Sequence, residues 1–107
     1  GHPLEKFRSK FNEKNIIKKI KTEREGATVV AAGIIEEVKP IITKRGERMA
    51  FVRLADFSDK IECVVFARVF EQFKDSMMLD RCVVLRGRLS RRNNEPSIIV
   101  EGVKELV

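Results

Sequence analysis

Two adjacent runs with strict alternation constrain this chain most, and they lie between Thr43 and Phe66. A basic tight turn, a strand, a short acidic turn and a second strand follow one another there. In both strands apolar residues recur with the period of two that a half-buried strand requires. The face that suits a core consists of Ala50, Val52, Leu54, Ile61, Cys63 and Val65. The sequence therefore predicts a β-hairpin, with Gly46 available for a positive φ in its first turn.

The opposite face of this hairpin has a different composition. Met49, Phe51 and Arg53 alternate with the core residues of the first strand, and Glu62 and Val64 do so in the second. An aromatic side chain exposed on a sheet beside basic residues provides a surface on which nucleic-acid bases stack. This face is therefore the candidate binding surface.

Composition limits the class of protein. The chain has 107 residues, enough for one domain with a single core. With 43% hydrophobic and 36% charged residues, and no apolar run of ~18–20 residues, we expect a globular cytoplasmic protein with no membrane partner. The formal charge is +6, and cations collect in two groups after residue 26. These groups are Lys39, Lys44, Arg45, Arg48 and Arg53, and Arg86, Arg88, Arg91 and Arg92.

The residue types that hold metals or perform catalysis are sparse. Cys63 and Cys82 lie in apolar strand patterns without metal-ligand spacing, and we expect both to be free thiols. His2 is the single histidine. Two pairs of acids lie close in sequence, one in a tight turn (Asp56 and Asp59) and one on what we expect to be opposite faces of a strand (Glu36 and Glu37). We therefore predict no metal, no cofactor and no enzyme activity within these residues.

The leading segment differs from the rest of the chain. Residues 3–12 predict a short amphipathic helix, with Leu4, Phe7 and Phe11 on one face. Residues 14–25 fit either a second short helix or an extended linker. Gly26 then marks a predicted boundary between a helical or linker segment, residues 1–25, and a domain at 26–107. The opening, without an initiator Met, suggests a piece of a longer protein.

The order of the remaining elements predicts the fold. A strand bent at Gly33 spans 28–38, and Pro40 restricts its continuation to an edge or a bulge. After the hairpin, the period changes to that of a helix whose apolar face would plug a barrel end, with Phe66, Val69, Phe70, Phe73 and Met77. Strands at 82–89 and 97–103 enclose a polar loop at 91–96. Three strands, a helix and two strands predict a mainly β, five-stranded OB-fold Greek-key barrel.

The sequence also resembles a known family. The run AGIIEEVKPIITKRGERMAFVRLADFSDKIECVVF, residues 32–66, resembles the OB domain of the alpha subunit of bacterial DNA polymerase III, and the opening GHPL resembles the segment before that domain. A glycine in the first strand, the TKRG turn, the MAFV strand and the VVF strand occur in the same order. One departure is Phe57-Ser58-Asp59, where the family commonly has a glycine in the turn. The resemblance covers almost the whole chain.

The resemblance implies a noncatalytic module that contacts the single-stranded template of a replicative polymerase in the bacterial replisome. Its expected partners are single-stranded DNA, other domains of the parent polymerase and other replisome proteins. OB-folds bind oligonucleotides across strands two and three, between the loops joining strands one to two and four to five. The predicted nucleic-acid-binding residues are Lys44, Arg45, Arg48, Met49, Phe51, Arg53, Val64, Arg91, Arg92 and Asn93.

Two alternatives remain at this point. The first is an RNA-binding or anticodon-type OB domain, which would depend on the 2′-hydroxyl groups of its ligand. The second is a module that docks onto a neighbouring protein through Leu4, Phe7 and Phe11. The second alternative predicts no salt-dependent binding of oligonucleotides.

Overall fold

The computed structural model describes residues 16–92 and 94–105, and of Arg92 only the backbone. These residues form two short helices and five strands. In chain order they are α1 (Ile17–Ile20), β1 (Thr28–Ile42), β2 (Arg48–Ala55), β3 (Lys60–Val65), α2 (Ala67–Phe73), β4 (Cys82–Arg92) and β5 (Glu95–Glu105).

The five strands form a closed barrel in the order β1-β2-β3-β5-β4. Neighbouring strands are antiparallel except β3 and β5, which pair in parallel from Glu62 opposite Ser97 to Val64 opposite Ile99. Together with the helix between β3 and β4, this topology is that of the OB-fold, so the predicted fold is confirmed.

Alternation along the strands divides the barrel interior from its outer surface. The six residues predicted to form the core face of the hairpin are all buried: Ala50, Val52, Leu54, Ile61, Cys63 and Val65. Residues of the other three strands complete the core, including Ile35, Leu85 and Ile98. Because nearly every buried residue is aliphatic, this core is held by apolar burial and close packing.

Glycines allow the strands to change partners. β1 pairs with β4 up to Ile34 and with β2 from Ile34 onward. A Cβ on Gly33, at this change, would overlap the carbonyl oxygen of Ala55. A Cβ on Gly87 would overlap the carbonyl oxygen of Ile99, next to a register shift between β4 and β5. The bend predicted at Gly33 is therefore a close backbone approach that a side chain would prevent.

β1 continues through Pro40, which pairs with Ala50 of β2. Beyond Ile34, β1 has no second strand neighbour among the described residues. Pro40 therefore lies where β1 is an edge strand, as predicted for it.

The helix between β3 and β4 is shorter than the sequence predicts. It ends at Phe73, and Val69, Phe70 and Phe73 pack against the core as predicted. Met77 is buried but lies beyond the helix, and Phe66 precedes the helix and is 48% exposed. Phe66 was predicted to share the buried face, and this expectation was wrong because its backbone is still extended, with φ −70° and ψ 162°.

The predicted polar loop at 91–96 is mostly strand. Arg91 pairs with Pro96 and Arg92 with Glu95, so residues 93 and 94 alone connect β4 to β5. Asn94 has a φ of 65°, a conformation that asparagine tolerates better than most residues. Polar composition suggested a loop there, but ladder hydrogen bonds do not depend on side-chain polarity.

The leading segment is part of the same packing unit where the structure describes it. Ile17 and Ile20 are 0% and 1% exposed and belong to the barrel core. Residues 17–20 are helical, so the helix alternative applies to that part of the segment. The predicted helix at 3–12, with Leu4, Phe7 and Phe11, lies outside the described residues. The boundary at Gly26 stays a prediction.

Candidate nucleic-acid interface

The outer surface of β2 and β3 carries an apolar row across the strands. Phe51 lies opposite Val64, and Val64 lies opposite Ile99 of β5. Directly opposed residues project from the same face of a sheet, so these three side chains are neighbours. All three are half-buried. Cations end the row, with Lys39 opposite Phe51 and Arg88 opposite Ile99. We call Lys39, Phe51, Val64, Ile99 and Arg88 the platform row.

The turn between β1 and β2 presents two of the predicted cations. The N–H of Gly46 donates to the carbonyl oxygen of Thr43 at 2.9 Å, and the N–H of Thr43 donates to that of Glu47 at 2.8 Å. Gly46 has a φ of 82°, as predicted for this turn. Lys44 and Arg45 occupy its tip, and both are exposed. The structure therefore holds both charges at the β1 edge of the outer face, where β2 begins.

Several cations near the platform row have no acidic partner. Lys39, Lys44, Arg45 and Arg48 form no ion pair with any residue that the structure describes. Arg48, however, alternates with Met49 and Phe51, so it leaves β2 on the side of the buried Ala50, at the rim of the barrel. Lys39 was not among the predicted site residues, yet its register places it beside Phe51.

Arg53 is paired with two carboxylates. A β-bulge between Ile35 and Glu37 places two residues of β1 opposite Arg53. The Nη2 of Arg53 donates to Glu37 Oε2 at 2.9 Å, and its Nε lies 3.5 Å from Glu36 Oε1. We expected Glu36 and Glu37 to point to opposite faces, and this was wrong because the bulge interrupts the alternation. Both carboxylates therefore face the guanidinium of a predicted phosphate ligand.

The predicted residues in the β4–β5 hairpin lie elsewhere. The Nη2 of Arg91 donates to the carbonyl oxygens of Lys21 at 2.8 Å and Glu23 at 2.7 Å. Its guanidinium thus ties the leading segment to the hairpin. The backbone of Arg92 ends β4, and Asn93 lies outside the described residues. The structure therefore brings Met49, Phe51, Val64, Lys44 and Arg45 onto one side of the barrel and Arg91 to its other end.

The turn between β2 and β3 is built on a carboxylate. Asp56 Oδ1 accepts hydrogen bonds from the N–H and hydroxyl of Ser58 and from the N–H of Asp59, so no glycine is needed in this turn. The N–H of Lys60 and the ammonium of Lys21 hold the pKa of Asp59 below its ordinary value. The carboxylates of Asp56 and Asp59 thus have hydrogen-bond donors within the fold.

Among the described residues, no group of three His, Cys, Asp or Glu side chains could hold a metal ion.

Comparison with known proteins agrees with the fold. Residues 29–106 match the family model of the OB-fold nucleic acid binding domain. This chain belongs to that family.

The curated relatives of this OB domain are DNA polymerase III alpha subunits. That of Aquifex aeolicus is 37% identical over 90 residues, which cover 83% of this chain and 8% of the relative. That of Borreliella burgdorferi is 31% identical over 107 residues, covering 96% of this chain and 9% of the relative. The chain thus spans less than a tenth of the length of these relatives.

Solved structures share the OB-fold at low sequence identity. Asparaginyl-tRNA synthetase from Pyrococcus horikoshii aligns with a TM-score of 0.66 and 18% identity, over 90% of this chain and 23% of that one. The mitochondrial single-stranded DNA binding protein Rim1 from S. cerevisiae aligns with a TM-score of 0.61 and 13% identity, over 78% of this chain and 97% of that one. At these identities the likeness establishes the fold.

The cysteines of the OB domain lie apart from the outer face. Cys63 is buried in the core, and burial raises the pKa of its thiol far above the ordinary value. Burial also raises the pKa of Cys82, which is partly exposed. Both thiols are free and stay protonated near neutral pH.

No described helix is long and apolar enough to cross a membrane.

Sequence reasoning missed two residues of this face. Ile99 joins the platform row through the parallel pairing of β3 and β5, which the sequence does not reveal. Alternation in β5 would have placed Ile99 outward, because the residues on either side of it, Ile98 and Val100, are buried. Lys39 was recognised as part of a cation group, but its position opposite Phe51 depends on strand register.

Proposed function

We propose that this chain is a single-stranded-DNA-binding OB domain of a bacterial DNA polymerase III alpha subunit, which contacts the template strand without catalysing its extension. The platform row carries the proposal, because it places an aromatic and two aliphatic side chains between basic residues on the outer face. Two comparisons support it. The curated relatives are polymerase alpha subunits, and Rim1, of the same fold, is named as a binder of single-stranded DNA.

In this proposal the bases stack on Phe51, with Met49, Val64 and Ile99 beside it. Stacking of one base on an aromatic side chain contributes roughly 1–3 kcal/mol by alanine substitution. Lys39, Lys44 and Arg45 bind the phosphates, with Arg48 at the rim. Arg53 and Arg91 contribute less in this assignment, because both guanidinium groups already have acceptors within the protein.

Fluorescence anisotropy of a labelled oligo-dT tests the proposal. If three to four cations meet phosphates, log K falls with log salt at a slope of roughly −2 to −3. Phe51→Ala weakens binding about fivefold or more. Leu79→Ala is the matched control, because Leu79 is apolar, 58% exposed and follows α2 rather than lying on the outer face.

The cationic turn is tested by Lys44→Ala combined with Arg45→Ala. We expect weaker binding, and the slope of log K against log salt should move toward zero by about 1.4, because two phosphate contacts are lost. Lys19→Ala combined with Lys104→Ala removes the same charge from two exposed positions away from the turn and should leave the slope unchanged. Absence of salt-dependent binding to oligo-dT would contradict the proposal, and preference for the matched RNA would replace it with the anticodon-type alternative.

A further inference from the structure

The outer face has a second aromatic residue, Phe66, just beyond the end of β3. The backbone of Phe66 is extended, so the alternation of β3 continues and Phe66 projects on the same side as Glu62 and Val64. Its side chain is 48% exposed. Its carbonyl oxygen accepts the N–H of Phe70 at 2.8 Å, which begins α2 and holds this residue in place.

Strand register places Phe66 next to the platform row. Phe51 lies opposite Val64, and Ala50 lies opposite Val65. Phe66 therefore stands diagonally from Phe51, where residues on one face are ~7–8 Å apart. Met49 lies beside both, with Ile41 opposite it on β1. Two aromatic rings thus lie on the same half of the outer face, the half nearest the basic turn at 43–47.

Just beyond Phe51, before the exposed Lys60, the outer face carries a strip of acidic residues. Two residues beyond Phe51, Arg53 faces Glu37 on one side and Glu62 on the other, and Glu36 contacts the same guanidinium. Three carboxylates against one guanidinium leave this strip with a net charge of −2. We call Glu36, Glu37, Arg53 and Glu62 the acidic strip. A phosphate backbone crossing it would be repelled.

Beyond the acidic strip the barrel end is occupied by the leading segment. Arg91 binds the carbonyl oxygens of Lys21 and Glu23, and the ammonium of Lys21 lies 3.1 Å from Asp59 Oδ2. The charge of Arg91, which was predicted to bind phosphates at this end, is therefore already bound by the protein.

We propose that the single-stranded DNA site is short and occupies only the half of the outer face beside the basic turn, with two base-stacking positions, Phe51 and Phe66, and with the acidic strip as its boundary. The inference rests on the proposed function and specifies the path of the strand. Successive bases stack on the two rings, and the phosphates follow Lys39, Lys44 and Arg45. The site spans about four nucleotides, the lower end of the range for OB-folds.

The second stacking position is tested by Phe66→Ala with labelled oligo-dT at low salt. We expect affinity to fall about fivefold or more, as for Phe51→Ala, while Leu79→Ala has no effect. Phe66→Tyr keeps a stacking ring and should retain affinity within about twofold. Because Tyr preserves the residue's size, this variant separates loss of stacking from disturbance of the helix start, and a thermal melt confirms that both variants are folded.

The boundary is tested by Glu62→Gln. Removing one charge beside the strand raises affinity roughly two- to threefold at low salt, and the gain disappears at high salt. Asp75→Asn, an exposed acid just after α2, is the control and should change nothing. Oligo-dT of four nucleotides should bind within about tenfold of a twelve-nucleotide strand, which offers about nine registers for a four-nucleotide site.

The outcomes separate the two proposals. If wild-type protein fails to bind oligo-dT, the proposed function is wrong and this inference falls with it. If wild-type protein binds, but Phe66→Ala and Glu62→Gln leave affinity unchanged, the function stands and the short site is wrong. A loss far greater than tenfold on shortening the strand to four nucleotides also overturns the short site.

Discussion

A single carboxylate, that of Asp56, joins the β2–β3 turn to the segment before β1. One of its oxygens accepts three hydrogen bonds from Ser58 and Asp59, and the other accepts the N–H of Ile17 at 2.8 Å. The residue thus closes a turn and anchors the first turn of α1. This double role explains how the turn forms without a residue at positive φ.

Loss of this carboxylate should destabilise the domain. We expect Asp56→Ala to lower the free energy of unfolding by about 2–4 kcal/mol, because several backbone N–H groups lose a charged acceptor. Asp56→Asn keeps one acceptor oxygen and should cost less. Urea denaturation measures both, with Asp75→Ala as an exposed control. Equal stability of the Asp56→Ala and Asp75→Ala proteins would show that water replaces these bonds.

Two glycines of the β4–β5 pair give a matched test of close packing. A Cβ on Gly87 would overlap the carbonyl oxygen of Ile99, whereas a Cβ on Gly102 would meet nothing within 4 Å. We therefore expect Gly87→Ala to cost roughly 3 kcal/mol and Gly102→Ala to change stability by less than about 1 kcal/mol. Thermal unfolding of the two variants measures the difference. Similar melting temperatures would mean that β5 can move away from β4 at little cost.

At the scale of elements, α1 is too short to be stable alone. Its two isoleucines enter the barrel core, and its backbone is bound by the β2–β3 turn at Asp56 and Ser58. The hairpin residue Arg91 binds the chain just after it. Tertiary contacts therefore make this helix, and residues 16–25 belong with the barrel in packing terms.

Shortening a buried side chain of α1 should destabilise the whole barrel. Ile20→Ala removes a fully buried side chain, so we expect a loss of about 2–4 kcal/mol in the free energy of unfolding. Ile42→Ala, at a position 70% exposed, is the matched control and should cost little. Chemical denaturation compares them. An unchanged transition for Ile20→Ala would instead support a domain that begins at Gly26.

At the scale of the whole molecule, closure of the barrel protects the interior. Each strand has a neighbour on both sides over part of its length, and Cys63 lies on the inner face of β3 with no exposed surface. Cys82 begins β4 and is partly exposed. The two thiols therefore report on different depths of the same structure.

Thiol labelling should follow this difference. We expect a disulfide reagent to modify Cys82 slowly in the native protein, because burial raises the pKa of its thiol. The rate should increase as pH rises, because the thiolate is the reactive form. Cys63 should react only when guanidinium chloride unfolds the barrel. The Cys82→Ser protein isolates the second thiol, and rapid native labelling of that protein would show that the barrel opens locally around β3.

The interface was only partly predictable for reasons of geometry. Phe51 and Val64 could be placed outward because alternation is local, and the turn at Gly46 followed from its residue types. The orientation of Glu36, by contrast, depends on a bulge. The position of Ile99 depends on its parallel register with a strand more than 30 residues away. Neither leaves a periodic trace in the sequence.

The sequence by itself determined which residues of the β2–β3 hairpin face the core, the order of the elements and the basic turn, because these depend on side-chain period and local turn chemistry. Tertiary structure alone decided which cations already have partners within the protein. Arg53 and Arg91 read as phosphate ligands in the sequence, yet the bulge at Glu36 and the carbonyl groups of the leading segment supply their partners. Pairing between distant segments sets these contacts, and no local pattern encodes it.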